Sequence, residues 1–476
     1  MQDRYSRPEH LYLLPIGGTA MAPLAGLLQS IGHHVEGVDT QLYPPMSTLL
    51  EELEISVRLG FDPARVPEDL DRAIIGNAVP RTNPEVVAIL ERGTHFLSQA
   101  EAVAHYVLAR GQDSLVVAGT HGKTTTSSML AWILEDAGRD PSYLIGGVPR
   151  WSGRPFRLGG GREIVIEGDE YNTAFFDRGP KFFHYRPHLF LLGPVEFDHG
   201  DIYRDLDAVL TAFRAGAAMV PRHGAVVVNA FSDGAVAAAR DAAARVVTVG
   251  SDPGCTLQLT PAERTADRST AAIRWQGQSH LLDLPMAGEH NLHNAAMAVA
   301  AAALSGVDAA AALAAIARFP GVVRRLQVIG EAAGITVVDD FAHHPTALAA
   351  TIAAARQRWP GRRLVVAFEP RSITAARRSF QDAYLAALAG ADLALVAEPF
   401  HRDRLEPALL LDRDALARDL RQRGVDALVG DDDPVAALAP RLAAGDVVVG
   451  CSSGSFGDFH RRLLQALRGD ERTADS

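Results

Sequence analysis

The stretch Ser114-Leu-Val-Val-Ala-Gly119-Thr-His-Gly-Lys123-Thr-Thr-Thr126, continuing as Ser127-Ser-Met-Leu-Ala-Trp-Ile-Leu-Glu135, is an apolar run that ends in a glycine-rich turn and opens an amphipathic helix. A helix start collects unpaired backbone N–H groups and the positive end of the dipole, so it receives an anion readily. Lys123, expected to face solvent, adds a positive charge, and Thr124 offers a hydroxyl to a phosphate-bound Mg2+. The turn reads as a nucleoside triphosphate loop, although Val117 stands where G-x-x-x-x-G-K-[ST] has its first glycine. The alternative is a plain strand-to-helix turn carrying an exposed lysine.

Downstream, Glu163-Ile-Val-Ile-Glu-Gly-Asp169-Glu170-Tyr171 is an apolar strand ending in carboxylates. Leu189-Phe-Leu-Leu-Gly-Pro-Val-Glu-Phe-Asp198-His199 repeats the pattern, with an acid and an imidazole at its end. Ligand sites of parallel sheets lie at those carboxyl ends. Two such ends beside a phosphate loop point to acid and imidazole around a Mg2+-nucleotide. Upstream, Leu11-Tyr-Leu-Leu-Pro-Ile-Gly17-Gly18-Thr19, a helix over 22–31 and Val35-Glu-Gly-Val-Asp39 have the spacing of a nucleotide-binding βαβ unit. The fingerprint G-x-G-x-x-G is absent, which disfavours a nicotinamide cofactor. A purely structural βαβ unit stays open. Arg72-Ala-Ile-Ile-Gly-Asn77 is a further strand with a polar end, and Asn83-Pro84 starts the next helix.

Alanine-rich stretches at 234–245 and 295–317 carry leucine, valine and isoleucine and predict helices rather than disorder. A β-rich patch at 270–284 leads into Gly288-Glu-His-Asn291-Leu-His-Asn294. Asn291 and Asn294 share a helical face, where they could read a base edge or simply cap the helix. In the last third, Ile335-Thr-Val-Val-Asp339-Asp340 precedes Phe341-Ala-His343-His344-Pro345, and Leu364–Phe368 precedes Glu369-Pro-Arg371-Ser372. Strands at 393–397, 427–429 and 446–450 follow, alternating with helices. His343 and His344 are adjacent and cannot both face one ion on a regular element; positioning a substrate or phosphate suits them better. Ser452-Ser-Gly454-Ser-Phe456-Gly457 reads as a structural turn. The layout is α/β in three domains: a Rossmann-like 1–112, a phosphate-loop 113–320, and a C-terminal 321–476 with a mostly parallel sheet.

Bulk properties narrow the function. A chain of 476 residues has material for several cores, and 47% hydrophobic with 22% charged residues is ordinary for a globular protein. A net charge of −11 argues against nucleic acid as a partner. No run of 18 apolar residues spans a membrane and no signal peptide is visible. Two cysteines, Cys255 and Cys451, make no disulfide framework, so the chain is expected in the cytoplasm.

Taken together these residues resemble the Mur ligase family, the ATP-dependent amide-forming enzymes of peptidoglycan synthesis. The resemblance rests on Gly119-Thr-His-Gly-Lys-Thr-Thr, Glu170, Asp198-His199, Gly288-x-His290-Asn291-x-x-Asn294, Arg324-Arg325 and Asp339-Asp340-Phe-Ala-His343-His344-Pro345, in order along the chain. It implies ATP and Mg2+ as cofactors, with Gly119, Thr120, His121, Gly122, Lys123, Thr124, Thr125, Asn291, Asn294, Arg325 and Asp340 around ATP. Thr124, Glu170 and His199 would hold the metal. Lys123, Glu170, His199, Arg325 and His343 would be catalytic, Lys123 and Arg325 on the phosphates and His343 on the acyl phosphate or the amine. Gly17, Gly18, Thr19, Asp39 and Asn77 would bind the UDP-sugar. Arg371, Ser372 and His401, with Arg402 and Arg404 nearby, would meet a peptide. Tyr43-Pro-Pro-Met-Ser-Thr-Leu-Leu, Tyr171-x-Thr-Ala-Phe-Phe-Asp177, Lys181-Phe-Phe-His-Tyr-Arg-Pro187 and Glu369-Pro-Arg-Ser look like the member that attaches L-alanyl-γ-D-glutamyl-meso-diaminopimelate to UDP-N-acetylmuramate in recycling. The alternatives are the member that adds L-alanine, a sensor without catalysis, and a pure ATPase. The chain is expected as a monomer or weak dimer. Pro15, Asn172 and Gly193-Pro194 depart from the family pattern, and Arg214 falls about where many relatives carry a carbamylated lysine.

Overall fold

Leu11, Leu13 and Leu14 are fully buried and Tyr12 nearly so, because strand His10–Leu14 is central in its sheet and covered on both faces. The computed structural model describes residues 7–200, 202–430 and 432–474; the outer ends of the first and third expected domains, 1–6 and 475–476, lie outside the described residues. The N-terminal sheet is parallel, in the order Ser56–Leu59, His34–Asp39, His10–Leu14, Arg72–Ile75, Phe96–Ser98. The chain runs outward from His10–Leu14 on one side and then returns to its other side. That reversal opens a crevice at the strand's carboxyl end, where Gly17, Gly18 and Thr19 lie before helix Met21–Ile31.

The central sheet has ten strands. Asp113–Ala118 lies between Leu189–Leu192 and Glu163–Glu167, parallel to both. The registers Leu192↔Ala118 and Val117↔Glu167 bring the three carboxyl ends level, so the phosphate loop emerges between the two acidic strand ends. Three antiparallel partners, Leu257–Arg264, Ser269–Trp275 and Gln278–Leu284, extend the far edge and account for the β-rich patch. Helix Glu289–Leu304 packs on the loop's own helix, Lys123–Asp136, through a face of buried alanines small enough for close approach.

In the C-terminal sheet the parallel strands run Ile335–Asp340, Val447–Cys451, Leu364–Phe368, Leu393–Ala397, Asp426–Gly430, with Gln327–Ala332 antiparallel at one edge. The last strand thus inserts between the first two, aligning the ends of Asp340, Phe368 and Cys451. Three α/β domains with mostly parallel sheets are what the hydrophobic pattern predicts. Among the described residues no helix is long and apolar enough to cross a membrane. Pro15 follows a cis peptide bond.

Candidate active site

Two glycines of the loop are required by geometry. Gly119 has φ +122°, and a Cβ there would stand 2.9 Å from backbone atoms of Gly193. Gly122 has φ +79°, and its Cβ would meet Asn294 Oδ1 at 2.6 Å. The loop is therefore pressed between the neighbouring strand end and the helix that carries Asn291 and Asn294.

Lys123 does not face solvent. Its Nζ donates to the Gly119 carbonyl and to Glu170 Oε2, both at 2.8 Å, and lies 3.9 Å from Asp169. The expectation failed because the acidic strand end lies directly beside the loop, a pairing that local sequence does not encode. Burial alone would lower the ammonium pKa, but Glu170 and Asp169 overcome it and raise it. Burial would likewise raise the carboxyl of Glu170, yet the Lys123 charge and the His199 hydrogen bond hold it below its usual range. His199 Nε2 is 3.0 Å from Glu170 Oε1, and its pKa is raised because Glu170 outweighs burial.

Thr124 Oγ1 donates to Glu167 Oε1 at 3.0 Å rather than meeting Glu170 or His199. Glu167 was not singled out in the sequence; its signal is a carboxylate at the end of an otherwise apolar strand. Burial, and then Asp169, push its pKa up. The surplus of negative charge among Glu167, Asp169 and Glu170 is one that a divalent cation would relieve. The oxygen-rich donor set of Thr124, Glu167 and Glu170, with one imidazole, fits Mg2+. Lys181, also missed, partners Asp169 at 3.2 Å.

A cavity of about 440 Å3 opens beside the loop, lined among others by Gly122, Thr125, Asn291, Asn294, Arg325 and Asp340. Asn291 Nδ2 donates to the Ala287 carbonyl at 2.8 Å, so part of its amide is engaged in the helix start. Asp340 accepts from Leu326 N, Ala342 N and Thr351 Oγ1 at 2.8–3.0 Å and organises this corner of the cavity. Arg324 and Arg325 diverge. Arg324 donates to Asp339 and to the carbonyls of Ser452 and Gly454, giving that turn its structural role. Arg325 lies over the Phe341 ring, 5.3 Å from its centroid, and makes no hydrogen bond or ion pair among the described residues.

His343 Nδ1 is 3.1 Å from the Phe341 carbonyl. A carbonyl only accepts, so Nδ1 carries the proton and Nε2 keeps a lone pair. Burial lowers the His343 pKa, which keeps the ring neutral. His344 caps helix Pro345–Arg358 and tilts against His121, ring centroids 4.5 Å apart. Both approach Glu196, another residue missed in the sequence, which accepts from His121 Nε2 at 3.1 Å and from Thr346 Oγ1 at 2.7 Å. His121, Glu196 and His344 lie close enough to share an ion, and the hydrogen bonds of Glu196 Oε2 to His121 and Thr346 bridge two domains. The hydrogen bond from His121 first, then that from Thr346 against partial burial, hold the Glu196 carboxyl down to about 2 from an ordinary 4.5. The stability Glu196 contributes is complete above its ordinary value and disappears as pH falls toward 2. Thermal melts from about pH 5 to about pH 2 should therefore lose less midpoint in Glu196→Gln than in the parent; equal losses would refute the bridge.

In the N-terminal domain, Asp39 accepts from Gly17 N at 2.8 Å and from Thr40 N at 2.7 Å, which folds the glycine turn back on the second strand. Asn77 is exposed beyond strand Arg72–Ile75. Thr19 lines a small cavity shared with Glu167, Asp169 and Lys181, so the crevice of the first domain opens onto the acidic cluster of the second. In the C-terminal domain, Arg371 stacks on Phe400 at 3.8 Å, and the His401 ring meets the same phenyl edge-on at 4.8 Å. Ser372 Oγ accepts from Ala375 N, a turn-capping bond.

Residues 10–110 match the family description "Mur ligase family, catalytic domain", 117–302 match "Mur ligase middle domain", and 324–454 match "Mur ligase, glutamate ligase domain". The UDP-N-acetylmuramate–L-alanyl-γ-D-glutamyl-meso-2,6-diaminoheptandioate ligase of Escherichia coli K12 is 37% identical over 460 residues, 96% of this chain and 98% of that one. The UDP-N-acetylmuramate–L-alanine ligase of Kineococcus radiotolerans is 37% identical over 472 residues, 98% of each. The crystal structure of a murein peptide ligase from Psychrobacter arcticus 273-4 superposes with a TM-score of 0.75 at 32% identity, covering 97% of this chain and 99% of that one.

Proposed function

The chain belongs to the Mur ligase family, the ATP-dependent amide ligases, and from that membership we propose that it joins L-alanyl-γ-D-glutamyl-meso-diaminopimelate to UDP-N-acetylmuramate in peptidoglycan recycling, in the cytoplasm. The observation that carries this reading is the match to the Escherichia coli ligase along nearly the whole of both chains. The Kineococcus relative favours the second reading, addition of free L-alanine.

A carboxylate acylates poorly, so it is first phosphorylated. An oxygen of the muramate carboxylate attacks the γ-phosphorus and ADP leaves; the peptide amine then attacks the acyl carbon, phosphate departs and the amine loses a proton. Lys123 and Arg325 hold the transferring phosphates, where a positioned charge lowers the barrier most. Thr124, Glu170 and His199, with Glu167 beside them, hold Mg2+, which when bound neutralises phosphate charge. The free lone pair of His343 orients the acyl phosphate or receives the amine proton. Asn291, Asn294 and Asp340 bind the nucleoside of ATP. Gly17, Gly18, Thr19 and Asn77 take the uridine diphosphate, with Asp39 holding the turn in shape. Thr19 leads the sugar toward the acidic cluster. Arg371, Ser372 and His401 receive the peptide. With domain boundaries at 112/113 and 320/321, the sugar nucleotide falls to the first domain and the peptide to the third, while ATP lies between the second and the third. The test is a coupled assay of ADP release: sustained turnover should require both UDP-N-acetylmuramate and the tripeptide, and sustained release without UDP-N-acetylmuramate, or no amide product with both present, would refute the ligase reading.

A further inference from the structure

After strand Leu189–Leu192 the chain carries Glu196, Asp198 and His199 on backbone with no regular structure through Gly200. His199 stands there at φ 54°, in the left-handed region that a side chain of its size rarely adopts. Such a conformation persists only if the flanking backbone is held. On one flank the phosphate loop holds it: Thr120 Oγ1 accepts from Glu196 N at 3.0 Å and donates to the Glu196 carbonyl at 3.2 Å. On the other flank the His199 carbonyl accepts from Ile202 N and Tyr203 N of its own segment, and the residue after it finds its partners in a different domain. Gly200 N donates to Thr374 Oγ1 at 3.1 Å, and Arg377 donates to the Gly200 carbonyl at 3.0 Å. Both polar backbone groups of the residue after His199 are thus satisfied by one loop of the C-terminal domain. Thr374 is 3% exposed, so its hydroxyl is a built-in partner rather than a chance surface contact. Among the described residues Arg377 has no ion pair, and the hydrogen bond its guanidinium makes is the one to the Gly200 carbonyl. The loop also begins with Arg371 and Ser372, assigned above to the peptide.

We propose that Thr374 and Arg377 are positioning residues for His199: they hold the left-handed turn that aims its imidazole at Glu170, and do so only while the C-terminal domain is docked. The phosphate-transfer site is then completed by the domain assigned above to the amine substrate. The proposal rests on the ligase reading for its kinetic consequence but not for its structural one.

The experiment compares Thr374→Val, Thr374→Ser, Arg377→Ala and the parent in two measurements on the full chain. In the ADP-release assay, Thr374→Val and Arg377→Ala should each lower kcat by about 10²-fold, the scale of a roughly 1 Å misplacement, with the KM for UDP-N-acetylmuramate unchanged and Thr374→Ser near the parent. In amide hydrogen exchange without ligands, protection should fall in the segment 196–203 and stay unchanged across the C-terminal sheet. Exchange rising equally throughout the C-terminal domain, or kcat unchanged in both variants, would overturn the proposal. Should Thr374→Val fail to fold, Arg377→Ala alone decides both measurements. If the parent shows no ligase activity, the functional reading fails while the exchange result still decides the positioning role.

Discussion

Replacing Lys123 by methionine is expected to lower ATP-dependent turnover by about 10²–10³-fold, the usual effect of removing one preorganised charge from a site of charge development. The same change should also destabilise the protein. Lys123 is the cation between Glu170 and Asp169, and Glu170 is only 2% exposed. Breaking a buried pair by removing one partner costs about 3–5 kcal/mol, because the other charge is left uncompensated. The two effects are separable. In a Glu170→Gln background, Lys123→Met should cost much less stability, since only Asp169, which is less buried and keeps Lys181 as a partner, remains opposite it, and should recover none of the rate. Thermal unfolding and ADP release on the four proteins check this. Near-parental turnover in Lys123→Met would remove the phosphate loop from the mechanism.

The second large effect falls on Arg325. With no hydrogen bond or ion pair among the described residues, its guanidinium lies over Phe341 and lines the cavity beside the loop. Arg325→Ala should cost about 10²–10³-fold in kcat/KM while lowering the melting temperature only slightly, because it breaks no hydrogen bond or ion pair among the described residues and removes only a longer-range attraction for Asp340, which keeps its three hydrogen bonds. Arg324→Ala should behave in the opposite sense. It removes hydrogen bonds to Asp339, Ser452 and Gly454, worth about 1.5–3 kcal/mol where a charged group is involved. Steady-state kinetics and thermal melts of both variants test the assignment; a stability loss in Arg325→Ala larger than in Arg324→Ala would reverse the two roles.

The strands and the loop were legible because their signals are local. Apolar runs closed by glycines or acids mark Asp113–Ala118, Glu163–Glu167 and Leu189–Leu192, and the registers merely bring those ends level. What joins the ends was not legible. Lys123 and Glu170 are 47 residues apart, Thr346 and Glu196 150 apart, and Gly200 and Thr374 174 apart. No periodicity reports on such pairs. The first depends on which strands neighbour each other in the central sheet and the other two on where one domain sits on another, which is why Lys123 was expected in solvent and Glu196, Thr374 and Arg377 were passed over. Arg324 and Arg325 show the same limit within one dipeptide: identical side chains diverge because one meets the Ser452 turn and the other the cavity.

Choice of amine tests the account most directly. The protein is given ATP, Mg2+, UDP-N-acetylmuramate and equal concentrations of L-alanine and L-alanyl-γ-D-glutamyl-meso-diaminopimelate, and the products are identified by mass. The account predicts UDP-N-acetylmuramoyl-tripeptide as the predominant product, formed with one ADP per amide bond. Predominant UDP-N-acetylmuramoyl-L-alanine would contradict it, leaving the family and the phosphate site in place and assigning the chain to first amino-acid addition.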